Sequence, residues 1–135
     1  GGDSRPFTGT LPVGGSLKAV IEVELLEPSE RVDAELAFFT PLGERVCTAH
    51  SAYEPDNKGE RLSGRQVFTC DISQLPLVPG EYNLHVGLDV GLKQVDCCRN
   101  VAQIMVTGGD FYGTGVEPSQ GSFLLKNRWK ISGDR

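Results

Sequence analysis

Few residues in this chain are equipped for chemistry. Only two imidazoles exist, His50 and His85. His is the commonest general base, yet no Ser or Cys nucleophile stands beside His85. It lies on the polar side of the run Glu81–Asp89, opposite Tyr82, Leu84 and Val86. That place suits a solvated group or a hydrogen-bond donor to a ligand. Glu22 and Glu24 share one strand face, about 7 Å apart by strand rise, and can be imagined as a glycosidase pair. Alternation explains them better as the wet side of a sheet. A metal needs three or four convergent ligands, and two scattered His without a C-x-x-C pair do not supply them. Neither a P-loop nor a G-x-S-x-G turn is present, and Gly113-Thr114-Gly115 reads as turn geometry. No catalytic residue, metal or cofactor is expected.

The aromatic residues divide into two groups. Phe38, Phe68, Tyr82 and Phe123 fit core positions, while Phe111, Tyr112 and Trp129 fall outside clear alternation. Trp129 reads as an anchor for a terminal strand. Phe39 points opposite to Phe38, so one of the two faces away from the core. An exposed aromatic among polar neighbours is how a binding surface looks.

These side chains need elements to position them. The residues Leu17 to Leu25 alternate apolar and polar, which is the period of a half-buried strand. Glu81–Asp89 repeats the pattern, as do Phe68, Cys70 and Ile72, then Ala102, Ile104 and Val106. Phe123 and Leu125 open a last short strand that ends near Trp129. Thr40-Pro41-Leu42-Gly43 suits a type I turn between strands at 33–40 and 45–50, and Val78-Pro79-Gly80-Glu81 a type II turn. Residues 108–121 read as a long ordered loop. The 17 Gly and 8 Pro are spread along the chain and break long helices. An all-β fold follows: an antiparallel β-sandwich, immunoglobulin-like or jelly-roll-like, of about seven to eight strands. Residues 1–15 read as a lead-in, 16–131 as the sandwich and 132–135 as a tail. Leu92, Val95, Ala102 and Met105 also fit helical spacing, so a short helix within 92–107 stays open.

Composition excludes several partners. The 135 residues form one domain with a net charge of −5, which argues against nonspecific nucleic-acid binding and against an anionic membrane surface. No apolar run approaches the roughly 18 residues of a membrane span, and no signal-peptide core appears near the start. A chain beginning Gly1-Gly2-Asp3 reads as a piece of a longer protein. The four cysteines, Cys47, Cys70, Cys97 and Cys98, read as free, buried, reduced thiols in a cytoplasmic setting.

Three stretches resemble one family. Leu75-Pro76-Leu77-Val78-Pro79-Gly80-Glu81-Tyr82-Asn83-Leu84-His85-Val86-Gly87-Leu88 is similar to its Pro-Gly-x-Tyr strand signature. Gly109-Asp110-Phe111-Tyr112-Gly113-Thr114-Gly115, followed by Trp129, resembles its closing motif. Phe39-Thr40-Pro41-Leu42-Gly43-Glu44-Arg45-Val46 resembles its hairpin. The family is the C-terminal, Wzt-type domain of the nucleotide-binding subunit of ABC exporters of O-antigen and related polysaccharides. The likeness spans about residues 16–131.

The resemblance implies a non-catalytic carbohydrate-binding module. It implies a cytoplasmic place at the inner face of the bacterial inner membrane, through an exporter. The implied partners are an O-antigen-type polysaccharide, lipid-linked and sometimes modified at its terminus, the exporter's ATPase domain and its transmembrane permease. Direct membrane insertion is not implied. A homodimer is expected, with strand exchange through Phe123, Leu125 and Trp129. If strands 33–40, 45–50, 81–89 and 100–107 share one sheet, their outward residues include Phe39, His50, Asn83, His85 and Gln103, the expected substrate-binding set. The alternative is a structural dimerisation or docking domain of the exporter ATPase without a glycan site.

Overall fold

The computed structural model describes residues 7–118 and 121–133. Its elements are β1 (Phe7–Pro12), β2 (Leu17–Ser29), β3 (Val32–Phe39), β4 (Arg45–His50), β5 (Leu62–Ile72), β6 (Gly80–Val90) and β7 (Lys93–Thr107), with a 3-10 turn at Ser51–Tyr53. The strands form a five-stranded sheet in the order β1-β7-β6-β3-β4 and a two-stranded sheet of β2 and β5. All pairs are antiparallel except β1 with β7.

Period-two sequence becomes one-sided burial. Along β2 the odd residues from Leu17 to Leu25 are half-buried and the even ones exposed. Leu36 and Phe38 of β3, Tyr82 and Leu84 of β6, and Ile104 and Val106 of β7 form the core with Leu75, Leu77, Val78 and Leu124. Leu17 and Ala19 of β2 and Cys70 and Ile72 of β5 pack across it from the other sheet. Phe38 is 1% exposed, and burying a ring of that size contributes roughly 1.5–3 kcal/mol. The Tyr82 hydroxyl donates to the Val78 carbonyl at 2.7 Å, which ties the entry of β6 back to the preceding segment, as tyrosine corners do in sandwiches. A cavity of about 440 Å3 remains between the sheets, lined by Ile21, Leu36, Ala49, Leu62 and Phe68 among others.

The question left open at 92–107 is answered, and several expectations are corrected. Lys93–Thr107 is strand β7, with no helix. It enters through a two-residue turn, Gly91-Leu92, in which both residues have positive φ (62° and 65°) and Val90 pairs with Lys93. That is the backbone pattern of a type I′ hairpin, which drives the chain straight back along β6. Residues 7–12, inside the expected lead-in, form β1 against β7; residues 1–6 lie outside the described residues, as do 119–120 of the long loop and 134–135 of the tail.

The expected terminal strand is reduced to one bridge, Leu77 with Phe123. Its phase is reversed: Leu124 is buried, whereas Phe123 is 48% and Leu125 71% exposed. The Leu124 amide donates to the Pro76 carbonyl at 2.8 Å, and that attachment turns the intervening side chain inward. Trp129, expected as an anchor, is 86% exposed, and its indole N–H donates only to Asn127 Oδ1. Gly80 sits at φ 155° as the first residue of β6, far from the roughly +80° of a type II turn. The four cysteines are free, but Cys97 and Cys98 are exposed and Cys47 and Cys70 half-buried. Cys97 pairs with Gly87 and so lies on the outward face of the large sheet.

Candidate binding face

The face of the large sheet turned away from the core carries every residue expected to bind substrate. Register fixes the arrangement. Phe39 lies opposite Asn83, and Asn83 opposite Gln103. The next row pairs Ala37 with His85, and the row after it joins Gly87, Glu35 and His50. Asp33 faces Asp89 in the last row. The outward side chains therefore form a grid, and its contacts select two clusters.

At the first cluster the rings of Phe39 and His85 stack with centroids 4.0 Å apart at 21°. The Arg45 guanidinium lies 5.0 Å from the Phe39 ring centre, a cation on an aromatic face. The same guanidinium donates to Glu35 Oε1 and to Thr48 Oγ1. Arg45 occupies this place because the turn at 40–43 is closed by the Gly43 amide on the Thr40 carbonyl, at 2.9 Å. Gly43 at φ 90° accommodates the bend that brings Arg45 opposite Phe39.

A bulge aims His85. Leu84 pairs with Ala102, but Val86 pairs with Cys98, so β7 carries Arg99, Asn100 and Val101 opposite one residue of β6. Asn100 adopts φ 53°, a left-handed conformation that Asn tolerates better than most residues. Its Oδ1 lies 3.1 Å from His85 Nε2. As Oδ1 accepts, the proton sits on Nε2, which leaves Nδ1 as an acceptor. Bulges commonly re-aim side chains at functional sites.

Gly87 completes the floor. A Cβ there would come within 2.7 Å of Gln94 Nε2 and 3.3 Å of Glu35 Oε2. Glycine lets those two side chains approach over the strand, 3.5 Å apart. A cavity of about 400 Å3 results, lined by Glu35, Phe39, Arg45, His85, Gly87, Gln94 and Arg99 among others. It offers a flat stacked platform beside a carboxylate, an amide and guanidinium groups.

His50 belongs to the second cluster. Its Nδ1 accepts the Ala52 amide at 3.1 Å, and its Nε2 lies 2.7 Å from Asp89 Oδ2. Nδ1 accepts, so Nε2 carries the proton and donates to the carboxylate. Both ring nitrogens are occupied internally, and His50 serves as a brace, with Tyr53 tilted beside it at 5.4 Å. Asp33 is fully buried and accepts from Ser51 Oγ at 2.7 Å and Asn57 Nδ2 at 2.9 Å. Arg31 Nε stands 3.3 Å from its other oxygen. Together these bonds fasten the 51–57 loop to the sheet.

The structure thus brings Phe39 and His85 into contact, sets Asn83 and Gln103 in the row of Phe39, and holds His50 apart. Sequence reasoning missed Glu35, Arg45, Gln94 and Asn100. Glu35 shares the parity of Phe39, and Arg45 follows the hairpin Gly by two residues, so both were within reach of alternation. Asn100 was not, because the bulge breaks the count. Among the described residues, no group of three or more His, Cys, Asp or Glu converges as metal ligands, and no helix is long and apolar enough to cross a membrane.

A family model for the Wzt C-terminal domain matches residues 3–120. The chain belongs to the Wzt C-terminal domain family. A solved structure described as the crystal structure of the C-terminal domain of Wzt is similar to this fold, with a TM-score of 0.70 at 16% identity, covering 94% of this chain and 74% of that one. No curated protein matches the sequence. The Wzt C-terminal fold is therefore the frame on which the Phe39–His85 face is built.

Proposed function

We propose that this domain is a non-catalytic carbohydrate-binding module. It holds an O-antigen-type, lipid-linked polysaccharide on the outward face of the large sheet. The observation that carries the proposal is the Phe39–His85 stack, ringed by Glu35, Arg45 and Gln94. Sugars present apolar C–H faces and hydroxyls. The stacked rings suit the first, and the carboxylate, amide and guanidinium suit the second. Each neutral hydrogen bond nets only about 0.5–1.5 kcal/mol, so one site binds in the micromolar to millimolar range.

Family membership supports the wider setting: a subunit of an ABC exporter in the cytoplasm at the inner membrane, working with an ATPase domain and a permease. There the module couples its glycan to export. A homodimer supplies two sites at high effective concentration and raises avidity. Strand exchange through Phe123, Leu125 and Trp129 is part of this proposal, and their exposure supports it.

Isothermal titration against polysaccharide from the source organism tests the binding function. Saturable heat, with an affinity about threefold to tenfold lower in H85A, is expected. No heat in either protein contradicts it. A second function, a structural dimerisation domain without a glycan site, is favoured by one observation, the exposed apolar series Leu125, Trp129 and Ile131. Sedimentation of W129S with I131S separates the two: a dimer lost while glycan binding persists leaves the sugar site standing.

A further inference from the structure

We infer that the binding face engages a run of linked sugars, with Tyr53 as its far contact. This inference rests on the carbohydrate-binding function proposed above and adds the length of glycan the face reads. Register supplies the scale. Glu35 is opposite His50 and lies four residues along β3 from Phe39, about 13 Å at strand rise. Both positions are on the outward face. His50 reaches across β3 to Asp89 on β6, 2.7 Å away, so its ring lies over the sheet surface. Tyr53 lies 5.4 Å from that ring and is 73% exposed.

The loop that presents Tyr53 is fastened to the sheet on both sides of it. Ser51 and Asn57 are bonded to the buried Asp33, and Asn57 Nδ2 also donates to the Ser51 carbonyl at 2.8 Å. An aromatic presented by a fastened loop loses little conformational freedom when a ligand arrives. Between Tyr53 and the Phe39–His85 stack lies the polar row of Glu35, Arg45 and Gln94. The order along the face is therefore aromatic, polar, aromatic. One pyranose ring is too short to touch both ends. A chain of rings covers both and lays its hydroxyls over the polar row.

The test uses a ladder of oligosaccharides, from the monosaccharide upward, cut by mild acid from the source organism's own polysaccharide and separated by size. Each is titrated calorimetrically into the unmodified domain, Y53A, Y53F and H85A. Affinity is expected to rise with length and then level off once the chain spans the face. Y53A should weaken the long oligosaccharides by about threefold to tenfold and leave the shortest unchanged. Y53F should match the unmodified domain, because the ring makes the contact. H85A should weaken every length. A Y53A loss that is equal at all lengths, or absent at all lengths while H85A still weakens binding, overturns the far contact and leaves the binding function intact. Absence of binding at every length overturns the binding function itself.

Discussion

The phenyl ring of Phe39 lies nearly flat on the imidazole of His85, with 4.0 Å between centres. Neither ring needs the other for burial, since both face away from the core. The pair is set by register, because Ala37 rather than Phe39 is directly opposite His85, so the contact is diagonal. Both rings stay partly exposed on the outward face. F39A and H85A should each weaken glycan binding by about threefold to tenfold. Their thermal midpoints should stay close to that of the unmodified domain. Calorimetric titration and a thermal scan of each variant check this.

Asn100 sits at φ 53° and points its oxygen at His85. N100G keeps the backbone and removes the bond. N100A removes the bond and leaves a Cβ in a left-handed conformation, which costs about 1–2 kcal/mol. Both variants should bind glycan more weakly, and only N100A should lose stability beyond N100G. Urea unfolding of the two side by side measures the difference.

Much of this architecture was legible in the sequence, and the reasons for success and failure are physical. Alternation located β2 and β6, and strand parity in the large sheet marked the outward set Phe39, His50, Asn83, His85 and Gln103, because one face of each strand is wet. It failed wherever a pairing irregularity shifted the count. The bulge at 99–101 hid Asn100. The single bridge at Phe123 turned Leu124 inward instead of its neighbours. Gly91-Leu92 carried a hairpin turn without the Asn or Asp that usually announces one. Nothing local marked Phe7–Pro12 as a strand, since its parallel partner β7 lies almost a hundred residues away in sequence.

Gly87 leaves room for Gln94 and Glu35 to meet over the strand. In G87A the new methyl would press on the end of Gln94, a flexible side chain, so stability should change by less than about 1 kcal/mol. Glycan affinity should fall, because the polar floor is displaced. Equal affinity in G87A and the unmodified domain would show that Glu35 and Gln94 do not touch the sugar.

Tyr82 donates to the Val78 carbonyl from a buried position. Y82F leaves that carbonyl without its partner and should cost about 1–2 kcal/mol. The urea midpoint should drop with the slope unchanged.

Burial pushes the Cys47 thiol above its ordinary 9.0, and burial followed by the neighbouring Asp71 does the same to Cys70. Tyr82 is also raised, by burial first and Cys47 second. A raised acid holds its proton more tightly in the folded state than in the unfolded one. The sign is therefore fixed: the thiols begin to destabilise the fold as pH climbs above 9.0, and Tyr82 as it climbs above 10.0. Unfolding free energy should decline on the alkaline side, and less steeply in C47A. Iodoacetamide at neutral pH should label Cys97 and Cys98 before Cys47 and Cys70.

The face itself is tested most directly by amide chemical shifts. The 15N-labelled domain would be titrated with polysaccharide from its own source. Shifts concentrated on Phe39, Asn83, His85, Gln94 and Gln103 are the predicted result. Shifts confined to the cavity between the sheets or to the 108–118 loop, with the outward face silent, would contradict the account.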